Sequence, residues 1–176
     1  MSPQSAPDTL GVSRNILRTL IPLNAAWCVF ILGMLIATLV APDFMMRGLG
    51  FDPATDTSHP FWFGVRFIMV IGIVAAPITH TILARLLAIV DTVRDGDPFV
   101  IDNAVRLQKI AWAVLGLELL HILVVIVATN LSTPDNPIDI GSKFSITRWL
   151  AVFLLFVLAR VFEQGARMRE DLAGTV

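Results

Sequence analysis

The chain has 176 residues, of which 56% are hydrophobic and 15% charged, with a mean hydropathy of +0.77 and a formal net charge of −1. A water-soluble fold would need a core larger than a chain of this size can enclose, so the composition excludes a soluble globular protein and points to a polytopic membrane protein. No basic, aromatic-rich patch is present to bind nucleic acid directly.

Residues 1–9 are rich in Ser, Pro and Ala and read as an unstructured cytoplasmic tail. The first apolar stretch, residues 20–40, follows Arg14 and Arg18. It is too long for the apolar segment of a signal peptide, and Leu39 spoils a small-x-small cleavage site ending at Ala41, so a retained span is expected. Cys28, the single cysteine, lies within it, which leaves no intramolecular disulfide. Trp27, also inside the stretch, reads as an ordinary packing residue.

The connection over residues 41–60 is punctuated by Pro42, Gly48, Gly50, Pro53 and Pro60. Its apolar side chains, among them Phe44 and Phe51, suggest that it lies against the membrane surface. A second span follows over residues 61–90, where Pro77 removes a backbone hydrogen bond one turn before His80 and predicts a kink. The inner loop covers residues 91–109, the third span residues 110–129, a Pro-containing solvated loop residues 130–145, the fourth span residues 146–162, and a cytoplasmic tail residues 163–176. Each backbone polar group in lipid must be satisfied within its own segment, and no ten-residue alternation marks a barrel. The expected fold is therefore all-α, a single bundle of four transmembrane helices with sequential neighbours antiparallel. Gly33, Ala37, Gly72, Ala75, Ala76, Ala113 and Gly116 mark its expected close contacts, some of which face lipid instead.

Nine of the thirteen Lys and Arg residues lie on one side of these spans: Arg14, Arg18, Arg85, Arg94, Arg106, Lys109, Arg160, Arg167 and Arg169. The other side holds Arg47, Arg66, Lys143 and Arg148 with five Asp, so both termini are expected in the cytoplasm. Trp62 and Trp149 fall at the outer ends of their spans and Trp112 near an inner end, as interfacial anchors would.

Within the inner loop, Gly96 breaks the preceding helix, Asp97 suits an N-cap and Pro98 the first helical position, so a new helix is expected from there into the third span. Phe99, Asn103, Arg106 and Ile110 would then share one face. That face reads either as an interfacial segment, with Phe in the headgroups and Arg on anionic lipid, or as a docking surface for a cytoplasmic partner.

The run Gly96-Asp97-Pro98-Phe99 with Asn103, Arg106, Leu107 and Ile110, and the tail from Val161-Phe162-Glu163-Gln164-Gly165-Ala166-Arg167-Met168-Arg169 to Val176, resemble the bacterial membrane family called domain of unknown function 2975. These motifs cover the inner loop and the last span with its tail; the earlier spans and outer loops match in hydrophobicity and spacing alone. The resemblance implies four helices in the bacterial inner membrane, a gene commonly beside one for a small helix-turn-helix regulator of the Cro/C1 type, and no enzymatic activity.

Ionisable groups inside spans are costly, so each calls for a partner. His80 lies about 15 Å from the inner end of the second span and Glu118 about 13 Å along the third, by helical rise. His121 follows Glu118 by one turn, and Arg85 and Arg160 could pair with Glu163 or snorkel. Glu118 and His80 could form a structural clamp or move one proton; a proton path would need relay groups that are missing. Glu118-x-x-His121 has the spacing of di-iron bundles, but only one copy is present, and a dimer would have to supply the second. His80 and His121 could alternatively ligate one haem b.

The leading expectation is a non-enzymatic inner-membrane protein without cofactor or metal, whose loop and tail bind the helix-turn-helix regulator. Asn103, Arg106, Arg167 and Arg169 would make the polar contacts and Phe99 the apolar one. The alternative is a small haem b redox component, or a proton or solute transport component, built on His80, Glu118 and His121. Homo-oligomerisation is compatible with either.

Overall fold

The computed structural model describes residues 9–48, 60–131 and 145–173, and every element in them is helical. In chain order these are α1 (Thr9–Val40), α2 (Pro42–Gly48), α3 (Pro60–Arg94), α4 (Ile101–Leu131) and α5 (Ile146–Ala173). The 130–145 connection, the acidic residues of both outer loops and the closing residues 174–176 lie wholly or largely outside the described residues.

Three helices are long and apolar enough to cross a bilayer: Thr9–Val40, Trp62–Arg94 and Ile101–Asn130. The surface they present agrees, with Trp27, Val29 and Phe63 exposed at 60%, 69% and 75%. Large apolar side chains are exposed along α1, α3, α4 and α5 alike, which water would not tolerate and lipid tails do. These helices make the chain a multi-pass membrane protein. α5 is not among them; its longest charge-free run lies between Arg148 and Arg160. That run rises about 16 Å, against a hydrocarbon core of about 30 Å.

The helices run past the limits set by hydropathy alone. α3, 35 residues long, would extend about 50 Å, so it carries Asp91 and Arg94 within the helix rather than in a loop. The inner loop expected over residues 91–109 is correspondingly reduced to residues 95–100. Both Pro22 and Pro77 are accommodated inside continuous helices. Within the outer connection, α2 forms where Pro42 occupies the first helical position and Asp43 and Arg47 match the two ends of the helix dipole.

The chain divides into two compact units. One comprises residues 1–24, 78–116 and 145–176; the other comprises residues 25–77 and 117–144. Of the four divisions, one falls at Pro77, one beside Gly116 and one two residues past Pro22.

In the second unit, α1 has no basic residue in its last turn. The guanidinium of Arg66 on α3 donates instead to the Thr38 carbonyl, satisfying an end carbonyl that the helix itself cannot. Thr38 is buried, and its hydroxyl turns back to the Leu35 carbonyl at 2.7 Å. A Cβ on Gly72 would meet Ile31 at 3.4 Å, an ordinary contact, whereas one on Gly33 would meet nothing within 4 Å. Trp62 is buried rather than displayed as an interfacial anchor, and Trp27 is exposed and stacked on Phe30.

In the first unit the close contacts are made by alanines: Ala104, Ala111, Ala159 and Ala166 are all buried. α4 and α5 are antiparallel, since Trp112 meets Phe156 and Phe99 meets Phe162, one index falling as the other rises. Arg14 near the start of α1 bonds Asp91 near the end of α3 at 2.7 Å. Gly116 has open space where a Cβ would lie, so it is not a packing glycine.

Gly96 alone among the described residues has a positive φ, +85°, a conformation that costs an L side chain about 1 kcal/mol or more. Gly96→Ala is expected to lower the thermal midpoint in detergent by that order of free energy, while Gly33→Ala, helical and unobstructed, should leave it unchanged or raise it.

Candidate functional site

The chemistry-bearing residues of the first unit converge on the connection between α3 and α4. α3 ends in a Schellman motif: the Gly96 amide bonds the Val93 carbonyl at 3.2 Å and the Asp97 amide bonds the Thr92 carbonyl at 3.1 Å. Residues 97–100 then run without helical structure into Ile101. The expected helix start at Asp97 and Pro98 is thus corrected by three residues. The reason lies in Asn103, whose Nδ2 donates to the Pro98 carbonyl at 3.0 Å and to Thr92 Oγ1 at 2.7 Å, tying the entering strand of chain back to α3.

Asn103 is fully buried, with Arg106 donating to its Oδ1 at 2.8 Å. This amide therefore serves the connection internally and offers no surface to a partner. Arg106 is half-buried over it. Phe99 precedes the helix instead of sharing its face, and its ring packs on Phe162 at 5.3 Å between centroids.

α5 supplies the other side. Gly165 lets the Phe99 ring approach so closely that a Cβ there would lie 2.9 Å from Cδ1. Ala166 beside it is buried. Arg169 forms an ion pair with Asp97, so the residue expected to cap a helix instead fastens the tail. Arg160 and Arg167 both bond Glu163, at 3.0 and 2.7 Å from successive turns of α5. The Arg160 hydrogen bond, with the charge of Arg167 adding to it against some loss of hydration, holds the Glu163 carboxyl below the ordinary glutamate range.

Of the five residues expected to bind a partner, all belong to this one cluster. Phe99, Arg167 and Arg169 retain exposure at its rim. The Gly165 cradle was missed from sequence, although a Gly-Ala pair one turn beyond Phe162 is the signal that could have found it. The intramembrane polar residues are distributed differently: His80, exposed, belongs to the first unit, and Glu118 and His121, both half-buried, to the second. No group of three or more His, Cys, Asp or Glu suited to a metal occurs among the described residues. Arg160 takes Glu163 as expected, while the buried Nε of Arg85 has no hydrogen-bond partner among the described residues.

Asn103→Leu should leave the Pro98 carbonyl and the Arg106 guanidinium without this partner and cost about 1–3 kcal/mol, read as a lower thermal midpoint and faster proteolysis within residues 95–100. For Glu163, a lowered folded-state pKa means that its ion pairs stabilise fully above the ordinary value of 4.5 and fade as pH falls through the lower, folded one. Hydrogen-exchange protection of α5 around Glu163, taken relative to the intrinsic exchange rate at each pH, should thus fall only in acid below about 4.5, and Glu163→Gln should remove that dependence.

Comparison with known proteins adds one family. A model described as protein of unknown function, DUF2975, matches residues 49–176, which take in α3, α4 and α5 and leave α1 outside. No curated protein matches, and no solved structure does. The match is broader than the motif-bearing loop and tail, and it includes every residue of the cluster except Arg14 at its edge. With nearly three quarters of its length covered, the chain belongs to the DUF2975 family.

Proposed function

We propose that this is a non-enzymatic protein of the bacterial inner membrane that crosses the bilayer four times and binds a small helix-turn-helix transcription regulator on its cytoplasmic face. The observation that carries the reading is the fastening of the tail to the α3–α4 connection, by Asp97–Arg169 and by Phe99 against Phe162 and Gly165. Two segments far apart in sequence become one preformed surface. A surface built before its partner arrives loses less conformational entropy on binding.

Support for the orientation comes from charge. Arg14, Arg18, Arg85, Arg94, Arg106, Lys109, Arg160, Arg167 and Arg169, nine of the thirteen basic residues, belong to the first unit and fall on the side of the α3–α4 connection in the charge count, with Arg148 at the opposite end of α5. A fourth crossing by α5 asks Arg148 and Arg160 to snorkel from the ends of their short apolar run. The Arg14–Asp91 and Arg169–Asp97 pairs favour an even number of crossings, because they join the start of α1 and the end of α5 to the same connection.

The contact surface differs in composition from the one read in sequence. Asn103 positions and Arg106 is half-buried over it, while Phe99, Arg167 and Arg169 remain exposed at the rim, joined by Met168, which is 62% exposed beyond the apolar run. An apolar centre of Phe and Met bordered by arginines has the make-up of a protein-binding patch. The regulator itself is suggested by the genetic neighbourhood that the family resemblance implies.

Co-expression with the regulator encoded beside it should retain that regulator in the membrane fraction. Phe99→Ala is expected to weaken retention about tenfold, the effect of losing one well-packed interface residue worth about 1.4 kcal/mol. A regulator that stays soluble beside the unaltered protein would refute the reading.

A further inference from the structure

A cleft of about 620 Å³ opens between α4 and α5, next to the cluster but reaching along the apolar part of both helices. Its room comes from two facing alanines, Ala104 and Ala159, both buried, where larger side chains would have closed the gap. One end is aromatic: Trp112 and Phe156 meet edge to face at 5.3 Å, with Trp112 itself 60% exposed. At the other end stand Arg160 and Arg167, with Glu163 between them and Gln108 opposite on α4. One cleft is thus apolar at one end and cationic at the other.

The charge does not cancel. Two guanidinium groups share a single carboxylate, leaving a surplus of one positive charge on side chains that are 78% and 68% exposed. A guanidinium carries five N–H donors in a planar fork matched to phosphate oxygens, so engagement with Glu163 leaves donors for a second anion. Arg160 also closes the charge-free run of α5, the level at which a phosphate would sit if the preceding residues lie in hydrocarbon.

We propose that this cleft is a binding site for one anionic phospholipid, its phosphate on Arg160 and Arg167 and one acyl chain along Trp112 and Phe156. The volume is in the range of small-ligand sites, about 300–1,000 Å³. Basic recesses between transmembrane helices recognise anionic headgroups in this manner. A free phosphate would use the arginines but gain nothing from the aromatic end, and a zwitterionic lipid would use the aromatic end while its own cation opposes the arginines. The site is built from α4 and α5 alone and does not depend on the regulator reading.

Native mass spectrometry of the full chain, delipidated in detergent and titrated with phosphatidylglycerol or phosphatidylcholine of identical acyl chains, tests it. One phosphatidylglycerol should be retained at about tenfold lower concentration than phosphatidylcholine, a difference of about 1.4 kcal/mol. The double variant Arg160→Gln, Arg167→Gln should abolish that preference. Glu163→Gln, which removes the competing carboxylate, should preserve or strengthen it, and it guards against a double variant that merely unfolds. Excess glycerol phosphate should fail to displace the lipid. Equal retention of the two lipids, a preference that survives the double variant, or displacement by glycerol phosphate would each overturn the proposal.

Discussion

The buried amide of Asn103 is the constraint on which the first unit turns. Its Nδ2 reaches both the Pro98 carbonyl and Thr92, and its Oδ1 receives Arg106, so one side chain joins the end of α3, the connection and the first turns of α4. A buried amide with its partners in place is stable; the same amide with a partner missing is costly. The connection is consequently held to one conformation. That conformation presents Asp97 to Arg169 and Phe99 to the Gly165 cradle.

Lipid explains why so much polar chemistry gathers there. Backbone groups inside a bilayer are consumed by their own helix, and charged side chains are expelled towards the ends. The first unit shows the result: ion pairs Arg14–Asp91 and Arg169–Asp97 lie near helix termini and Glu163 with Arg160 and Arg167 in the part of α5 that follows its apolar run, while the faces of α1, α3 and α4 display Val, Leu, Ile and Phe. Individually, such partly exposed pairs contribute little to stability. Their value here is positional, since each specifies which side chains stand next to which.

Small residues divide into two physical classes that a sequence does not label. Gly96 and Gly165 are required, the first by its positive φ and the second by an aromatic ring lying where its Cβ would be. Gly33 and Gly116, which spacing also marks as contact positions, face open space. The alanines show the same division, with Ala104, Ala111, Ala159 and Ala166 buried although only the pattern around Ala113 and Gly116 draws attention in a linear reading of α4. In α4 and α5 those buried alanines also leave the volume of the cleft.

Read as a string, the chain determines that it is helical and embedded in lipid, because hydropathy and segment length are local quantities and the backbone has no other solution in hydrocarbon. It also determines that Gly96 ends a helix and that its arginines are unevenly distributed. Tertiary structure decided what those local signals could not: that α3 continues to Arg94, that α4 begins at Ile101, and that Asp97 serves an ion pair instead of a cap. It decided as well that Asn103 turns inward while Phe99 and Arg167 reach the rim. Each of these depends on a partner more than ten residues away or on a shared hydrogen bond, and spacing along one helix carries no information about which distant side chain will arrive.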